Sequence, residues 1–229
     1  MSPDAVYMNF GESFPRDICE RFQRLIDLLI SSPHNLTSVK DREKAMVIHV
    51  EDSLLAFEGH KPEGSYIDIG SGGGIPGLVL AIAFPGTRWV LVDSIAKKVR
   101  EIERFSSTLS LSNVTTVASR IEEYPKEVDR FNGAVMRAVA RGDVALELAA
   151  PLVERGGLIH LYKGPGWKDE ERYAFLASAR LGLQFQDERN YRLSDGSSRK
   201  LVTFEKISET PKGFPRKPGM ASKFPLGEK

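Results

Sequence analysis

The 229-residue sequence holds one cysteine, Cys19, and therefore has no partner for an internal disulfide. A chain without crosslinks fits a reducing cytosol, and a soluble cytoplasmic protein is expected. The same scarcity removes a cysteine nucleophile, since Cys19 lies in a helical N-terminal pattern away from any motif. No cluster of His, Cys and carboxylates has metal-ligand spacing, so no metal site is expected. No apolar run approaches membrane-spanning length, and no basic region followed by an apolar core opens the chain, so neither a membrane partner nor a signal peptide is expected. An excess of one charge is missing too: 32 Lys and Arg oppose 31 Asp and Glu, for a net charge of +1. Any affinity for nucleic acid must then come from local clusters.

What is present suffices for one core, because 41% hydrophobic residues in a chain of this length can bury a single α/β domain. Ser13 to Ile30 carries Phe14, Ile18, Phe22, Leu25, Ile26 and Leu29 at spacings of three and four, which predicts an amphipathic helix. Ser31-Ser32-Pro33-His34-Asn35 breaks it, and a second helix is predicted over Glu43 to Phe57. From Ser65 the pattern alternates: strand 65–69, helix 76–84, strand 88–92, helix 95–109, strand 114–118. Strands at Phe131 to Ala138 and Gly157 to Tyr162 follow, then a closing antiparallel pair over 182–191 and 199–206 around Ser194-Asp195-Gly196. Short apolar strands separated by helices imply right-handed crossovers and a parallel sheet. The organisation expected is one domain: a helical extension over 1–62, a core over 63–206, and a basic, proline-rich tail over 207–229.

Residues 66 to 74 read Tyr-Ile-Asp-Ile-Gly-Ser-Gly-Gly-Gly, an apolar strand that ends in an acid and enters a glycine-rich turn. Asp68, Gly70, Gly72 and Gly74 fit acid-x-Gly-x-Gly-x-Gly, which resembles the S-adenosylmethionine loop of Rossmann-like methyltransferases. Such a turn needs glycine because the chain reverses tightly while its backbone lies against a cofactor. Gly72-x-Gly74-x-x-Gly77 also matches the dinucleotide fingerprint, but Asp68 favours the methyltransferase reading, since its carboxylate suits the amino acid part of the cofactor and a pyrophosphate needs no acid.

Ligands of doubly wound sheets bind beyond the carboxyl ends of the strands. Asp93 closes Trp-Val-Leu-Val-Asp, where an acid suits two ribose hydroxyls; in isolation it also reads as a solvated strand end or a helix cap, and its place in the series favours the ribose role. After the third strand, Ser119-Arg120-Ile121-Glu122 would place an adenine against Ile121, with Glu122 near its exocyclic amine. After the fourth, Arg137-Ala138 faces the methyl-transfer site; Arg137 and Arg120 are otherwise surface ion-pair partners. His49, on an apolar helical face, reads as a structural histidine.

Seven blocks in order, Asn35-Leu36-Thr37, His49 to Leu54, Asp68 to Gly77, Leu91 to Ser94 with Lys97-Lys98, Ser119 to Glu123, Arg137-Ala138 and Lys163-Gly164, closely resemble the RsmG (GidB) family. Gly73 and Met136 depart from residues common in that family. The resemblance implies a Rossmann-like methyltransferase fold, with a mostly parallel seven-stranded sheet, an antiparallel closing strand and N-terminal helices. It implies transfer of a methyl group from S-adenosylmethionine to N7 of one guanosine of 16S ribosomal RNA, in the decoding region of the small subunit. Free RNA or a small-subunit precursor would be the partner, and a monomer is expected. Carried over by position, the cofactor contacts are Gly70, Ile75, Ile121, Glu122 and Arg137.

No acid or base is assigned, because guanine N7 carries a lone pair and no proton; Arg137, Arg120 and Lys163 are positioning candidates. RNA contacts are expected at Arg120, Arg141 and Lys163 and along the tail, at Lys212, Arg216, Lys217 and Lys223. From Lys206 onward six basic residues oppose Glu209 and Glu228, which reads as an arm that tracks phosphates or as a solubilising tail. A methyltransferase acting on a small molecule or another RNA, a nicotinamide-dependent oxidoreductase and a non-enzymatic RNA-binding module are the alternatives.

Overall fold

The computed structural model describes residues 14–124 and 130–228; Ser13 and Lys229, which the sequence pattern assigns to the first helix and the tail, lie outside them. The strands are β1 Ser65–Ile69, β2 Arg88–Asp93, β3 Val114–Ala118, β4 Phe131–Arg137, β5 Val153–Lys163, β6 Leu183–Arg192 and β7 Ser198–Lys206. They form one sheet in the order β3-β2-β1-β4-β5-β7-β6. β1 to β5 run parallel, and β7 lies antiparallel between β5 and β6. Strand order reverses between β1 and β4, so the crevice that such reversals open lies where Gly70 and Arg137 leave the sheet. The β6–β7 turn falls where Ser194-Asp195-Gly196 predicts it, and the Asp195 carboxylate accepts the Ser197 amide at 2.8 Å.

Helices cover both faces, as the burial of β1, β2 and β4 demands. On one face the leading Arg16–Ser31 helix places Phe22, Leu25, Ile26 and Leu29 in a cluster with Leu78, Ile82, Trp89 and Phe105. The helical extension is therefore continuous with the core of the sheet. On the other face the Gly142–Ala149 and Trp167–Leu181 helices pack with Ile67, Val90, Phe131 and Phe204. Every residue of Gly142–Ala149 is buried, so it has no solvent face and no amphipathic period by which sequence could bound it.

Two expectations need correcting. The helix predicted over 43–57 is interrupted: Arg42–Ala45 and Asp52–Ala56 are α-helical, but Met46–Glu51 is a π-helical turn. Such turns are rare and collect at functional sites. The tail is no free arm either. Pro215, Ala221, Leu226 and Gly227 are buried, and the short Met220–Lys223 helix and Leu226–Glu228 turn pack against the second face.

If the extension shares the core, Phe22→Ala should destabilise the whole domain by about 3–5 kcal/mol in one cooperative transition, followed by denaturant with two probes. A separate early transition, leaving the sheet at wild-type stability, would show the extension to be a separate unit.

Candidate active site

The loop after β1 is pinned by acids on both sides. Gly70 and Ser71 donate their amides to the Val92 carbonyl at 2.8 and 3.0 Å, which holds the reversal against β2. The Asp93 carboxylate accepts the Gly72 amide at 2.9 Å through Oδ2 and the Ile95 amide at 2.9 Å through Oδ1. It is therefore a cap, as one sequence alternative had it, but two acceptor oxygens retain lone pairs for hydroxyl donors. Gly72 adopts φ +58°, and a Cβ there would meet no protein atom closer than the Gly70 carbonyl oxygen at 3.9 Å, so its side opens away from the protein.

Asp68 lies beneath the loop, almost wholly buried. Its Oδ2 accepts the Gly77 amide at 2.8 Å, and a Cβ on Gly77 would fall 2.6 Å from that oxygen, so only glycine permits the contact. Oδ1 has no partner. Burial pushes the Asp68 carboxyl up to about 7, against the opposing pull of the Gly77 amide and the Arg137 charge. A buried, unsatisfied carboxylate oxygen beneath a glycine loop fits a cationic ligand group. Ile75, by contrast, turns its side chain into the core beside the leading helices.

A cleft of about 190 Å³ runs along this edge from Gly70 and Asp93 to Ser119, Arg120, Ile121 and Glu122. Its far wall is the tail: Gly219 and Ser222 line it, and the Gly219 amide donates to Glu122 Oε1 at 3.1 Å. Beyond the loop after β4 lies a second hollow of about 430 Å³, lined by Asp52, Arg137, Tyr162, Lys163, Glu170 and Arg199. Val139 and Ala140 border both. Ala138, between them and Arg137, holds φ +56°, a strained value for a residue with a Cβ. A larger hollow of about 610 Å³ lies beside β3, lined by serines, threonines and Glu103, away from these groups.

Arg137 is aimed by the helical extension. Its Nη1 donates to the Ile48 carbonyl at 2.8 Å and to Asp52 Oδ2 at 3.2 Å, and its Nη2 meets His49 Nδ1 at 3.2 Å. All three partners come from the π-helical turn and the residue after it, so the irregular turn serves to gather acceptors around one guanidinium. A guanidinium only donates, so Nδ1 of His49 is the acceptor and Nε2 carries the proton, given to Thr37 Oγ1 at 2.9 Å. Burial, with the Arg137 charge, lowers the His49 pKa to about 4, which keeps the ring neutral. Tyr191 completes the surround, its hydroxyl donating to Asp52 Oδ1 at 2.8 Å.

Of the residues expected to meet RNA, Arg120, Lys212, Lys217 and Lys223 are exposed. Lys163 rims the second hollow, with Nζ bonded to the Ala140 carbonyl at 3.1 Å and Glu170 at 3.0 Å. Arg141 and Arg216 are otherwise engaged. Arg141 forks onto Asp143 at 2.8 Å and pairs with Glu228 at 2.6 Å, while Arg216 binds the fully buried Glu147. Lys206, counted with the tail, is itself buried, donating to the Ala150 carbonyl at 2.7 Å, and burial lowers its pKa to about 8. The positive face of the tail is therefore smaller than its composition suggests.

Sequence reasoning leaves Asp52, Tyr162, Glu170, Arg199, Glu147 and the Gly219–Ser222 turn without a role. Two signals were there. Asp52 lies three residues after His49, on the same helical face, and Glu147 interrupts the apolar run Val-Ala-Leu-Glu-Leu-Ala, where an acid needs a buried partner.

Residues 18–189 match the family described as GidB, rRNA small subunit methyltransferase G. Among curated proteins the chain is similar to ribosomal RNA small subunit methyltransferase G of Pseudothermotoga lettingae, 37% identical across 96% of this chain and 97% of that one. The enzyme of the same name from Fervidobacterium nodosum is 39% identical across 90% of this chain and 98% of that one. Among solved structures, a mutant of the 16S rRNA (adenine(1408)-N(1))-methyltransferase from Catenulisporales acidiphilia superposes with a TM-score of 0.54 at 18% identity, covering 73% of this chain and 93% of that one. That likeness is one of fold.

The His49 assignment has a direct check. Its neutral form is favoured by folding, so its contribution to stability is complete above about pH 6.5 and is lost as pH falls towards 4. Imidazole nitrogen NMR shifts should remain those of the Nε2–H tautomer from pH 8 to about 5. A midpoint near 6.5 would mean that the ring does not face Arg137.

Proposed function

The chain belongs to the rRNA small subunit methyltransferase G family, and from that membership we propose that it transfers a methyl group from S-adenosylmethionine to N7 of a guanosine in the decoding region of 16S ribosomal RNA. The observation that carries this reading is a cleft lined by Gly70, Asp93 and Glu122 that shares Val139 and Ala140 with the hollow lined by Arg137, with the buried Asp68 beneath the glycine loop. Asp68 and the Gly70–Gly74 turn would hold the amino acid end, Asp93 the ribose hydroxyls, and Ile121 and Glu122 the adenine. When bound, S-adenosylmethionine supplies an electrophilic methyl on a sulfonium.

Guanine N7 offers an in-plane lone pair and no proton, so the chain has to bind and align and need not remove a proton. Neutral His49, bonded on both nitrogens, suits that division of labour, since it orients Arg137 and holds no proton for transfer. Arg137 carries its charge fixed by Asp52 and the Ile48 carbonyl, which makes it a rigid part of the lining of the second hollow. The second hollow would receive the base. Its rim of Lys163 and Arg199 offers donors to the guanine O6 or a phosphate, and Glu170 offers an acceptor to the amino edge. Held in line, nucleophile and methyl gain the entropic part of the acceleration, and preset dipoles avoid reorganisation. Lys212, Lys217 and Lys223 would add phosphate contacts outside the hollow.

Incubation with radiolabelled S-adenosylmethionine and small subunits from a strain deleted for the gene should label 16S RNA at one guanosine, cleavable by the borohydride and aniline chemistry of N7-methylguanine. Label at another atom, or in a small molecule only, would reject the acceptor. Binding should also be pH-dependent: a bound cation favours the ionised Asp68, whose carboxyl alone titrates near 7, so affinity should rise from about pH 6 to about pH 8. Asp68→Asn should flatten that rise; a flat wild-type profile in calorimetry would remove Asp68 from the contact.

A further inference from the structure

The Gly142–Ala149 helix follows β4 and faces the cofactor cleft with Val144 and Leu148. It also carries two acids, Asp143 and Glu147, whose side chains are fully buried. A carboxylate in such a place is strongly unfavourable unless hydrogen-bonded. The tail satisfies Glu147 and contributes to Asp143. Glu147 receives three donors from one residue: the Arg216 backbone amide at 3.1 Å, Nε at 2.8 Å and Nη2 at 2.5 Å. Asp143 receives the fork of Arg141, the Val144 amide at 3.0 Å and, from the tail, the Gly227 amide at 3.1 Å, while Arg141 also pairs with Glu228 of the tail. Ala221 and Leu226 fill the core between these two anchors.

This double anchorage fixes what lies between, the turn Gly219 to Ser222. Gly219 and Ser222 line the cleft together with Ile121 and Glu122, and the Gly219 amide holds Glu122 by Oε1, so that Oε2 would accept from a ligand amine. We infer that the folded C-terminal segment is part of the cofactor site: Gly219 to Ser222 form the wall that seats the adenine, and the Glu147–Arg216 pair is the latch that positions that wall. This rests on the reading of the cleft as the S-adenosylmethionine site. It reverses the role that composition suggests for the segment, whose half-buried Arg216 and cleft-lining Gly219 serve the small ligand while its exposed lysines remain for phosphates.

Calorimetry with S-adenosylhomocysteine and no RNA tests the inference on the full chain. Ser222 is exposed and joins no buried pair, so Ser222→Trp fills the cleft from the tail side without disturbing the anchors. It should weaken binding by tenfold or more, roughly 1.4 kcal/mol, with an unchanged unfolding midpoint. Arg216→Ala, which strands Glu147, should lower both affinity and midpoint. Wild-type affinity in Ser222→Trp would overturn the inference while leaving the cofactor site in place. No binding by the wild-type chain would remove the cofactor reading and this inference together.

Discussion

The site depends on one backbone reversal, the turn between β1 and the Gly77–Ala83 helix, and on the two carboxylates that hold it. Asp93 takes the Gly72 amide from the β2 side, and Asp68 takes the Gly77 amide from beneath. Each bond fixes the loop relative to a different strand, so the cleft is shaped before any ligand enters. The cost is an interior acid, Asp68, with one oxygen unsatisfied and its carboxyl raised towards neutrality. Sites that store such a group are where a ligand can gain most by completing it.

Around this reversal the leading helices and the tail converge from opposite faces of the sheet. The leading helices reach the junction through Ile48, His49 and Asp52, which fix Arg137. The tail reaches the other end through Gly219, which fixes Glu122, and through Arg216, which neutralises Glu147. Neither is an appendage, since each contributes buried side chains to one of the two hydrophobic clusters.

How much of this is legible in sequence follows from the range of each interaction. Strands β1 to β4 and the helices of the first half announce themselves by local apolar period, and the glycine loop by spacing, so these strands and the loop after β1 fall where expected. The π-helical turn does not, because it is held by Arg137 and Thr37, residues 88 and 12 positions from His49. The buried helix Gly142–Ala149 has no polar face to set its bounds. The tail misleads most: Arg216 and Lys206 look like surface cations by composition and become donors to buried acceptors only because Glu147 and the Ala150 carbonyl wait 69 and 56 residues away. Charge counts carry no information about such partners.

The proposal that this cleft seats S-adenosylmethionine, with the adenine against the tail and the methyl group towards Arg137, is tested most directly by a crystal structure with S-adenosylhomocysteine bound. The ribose hydroxyls should bond to Asp93, the adenine should lie between Ile121 and the Gly219–Ser222 turn, and the sulfur should face the Arg137 side, with the tail and the His49–Arg137 contact unmoved. A ligand seated elsewhere, or a tail displaced to admit it, would contradict this picture.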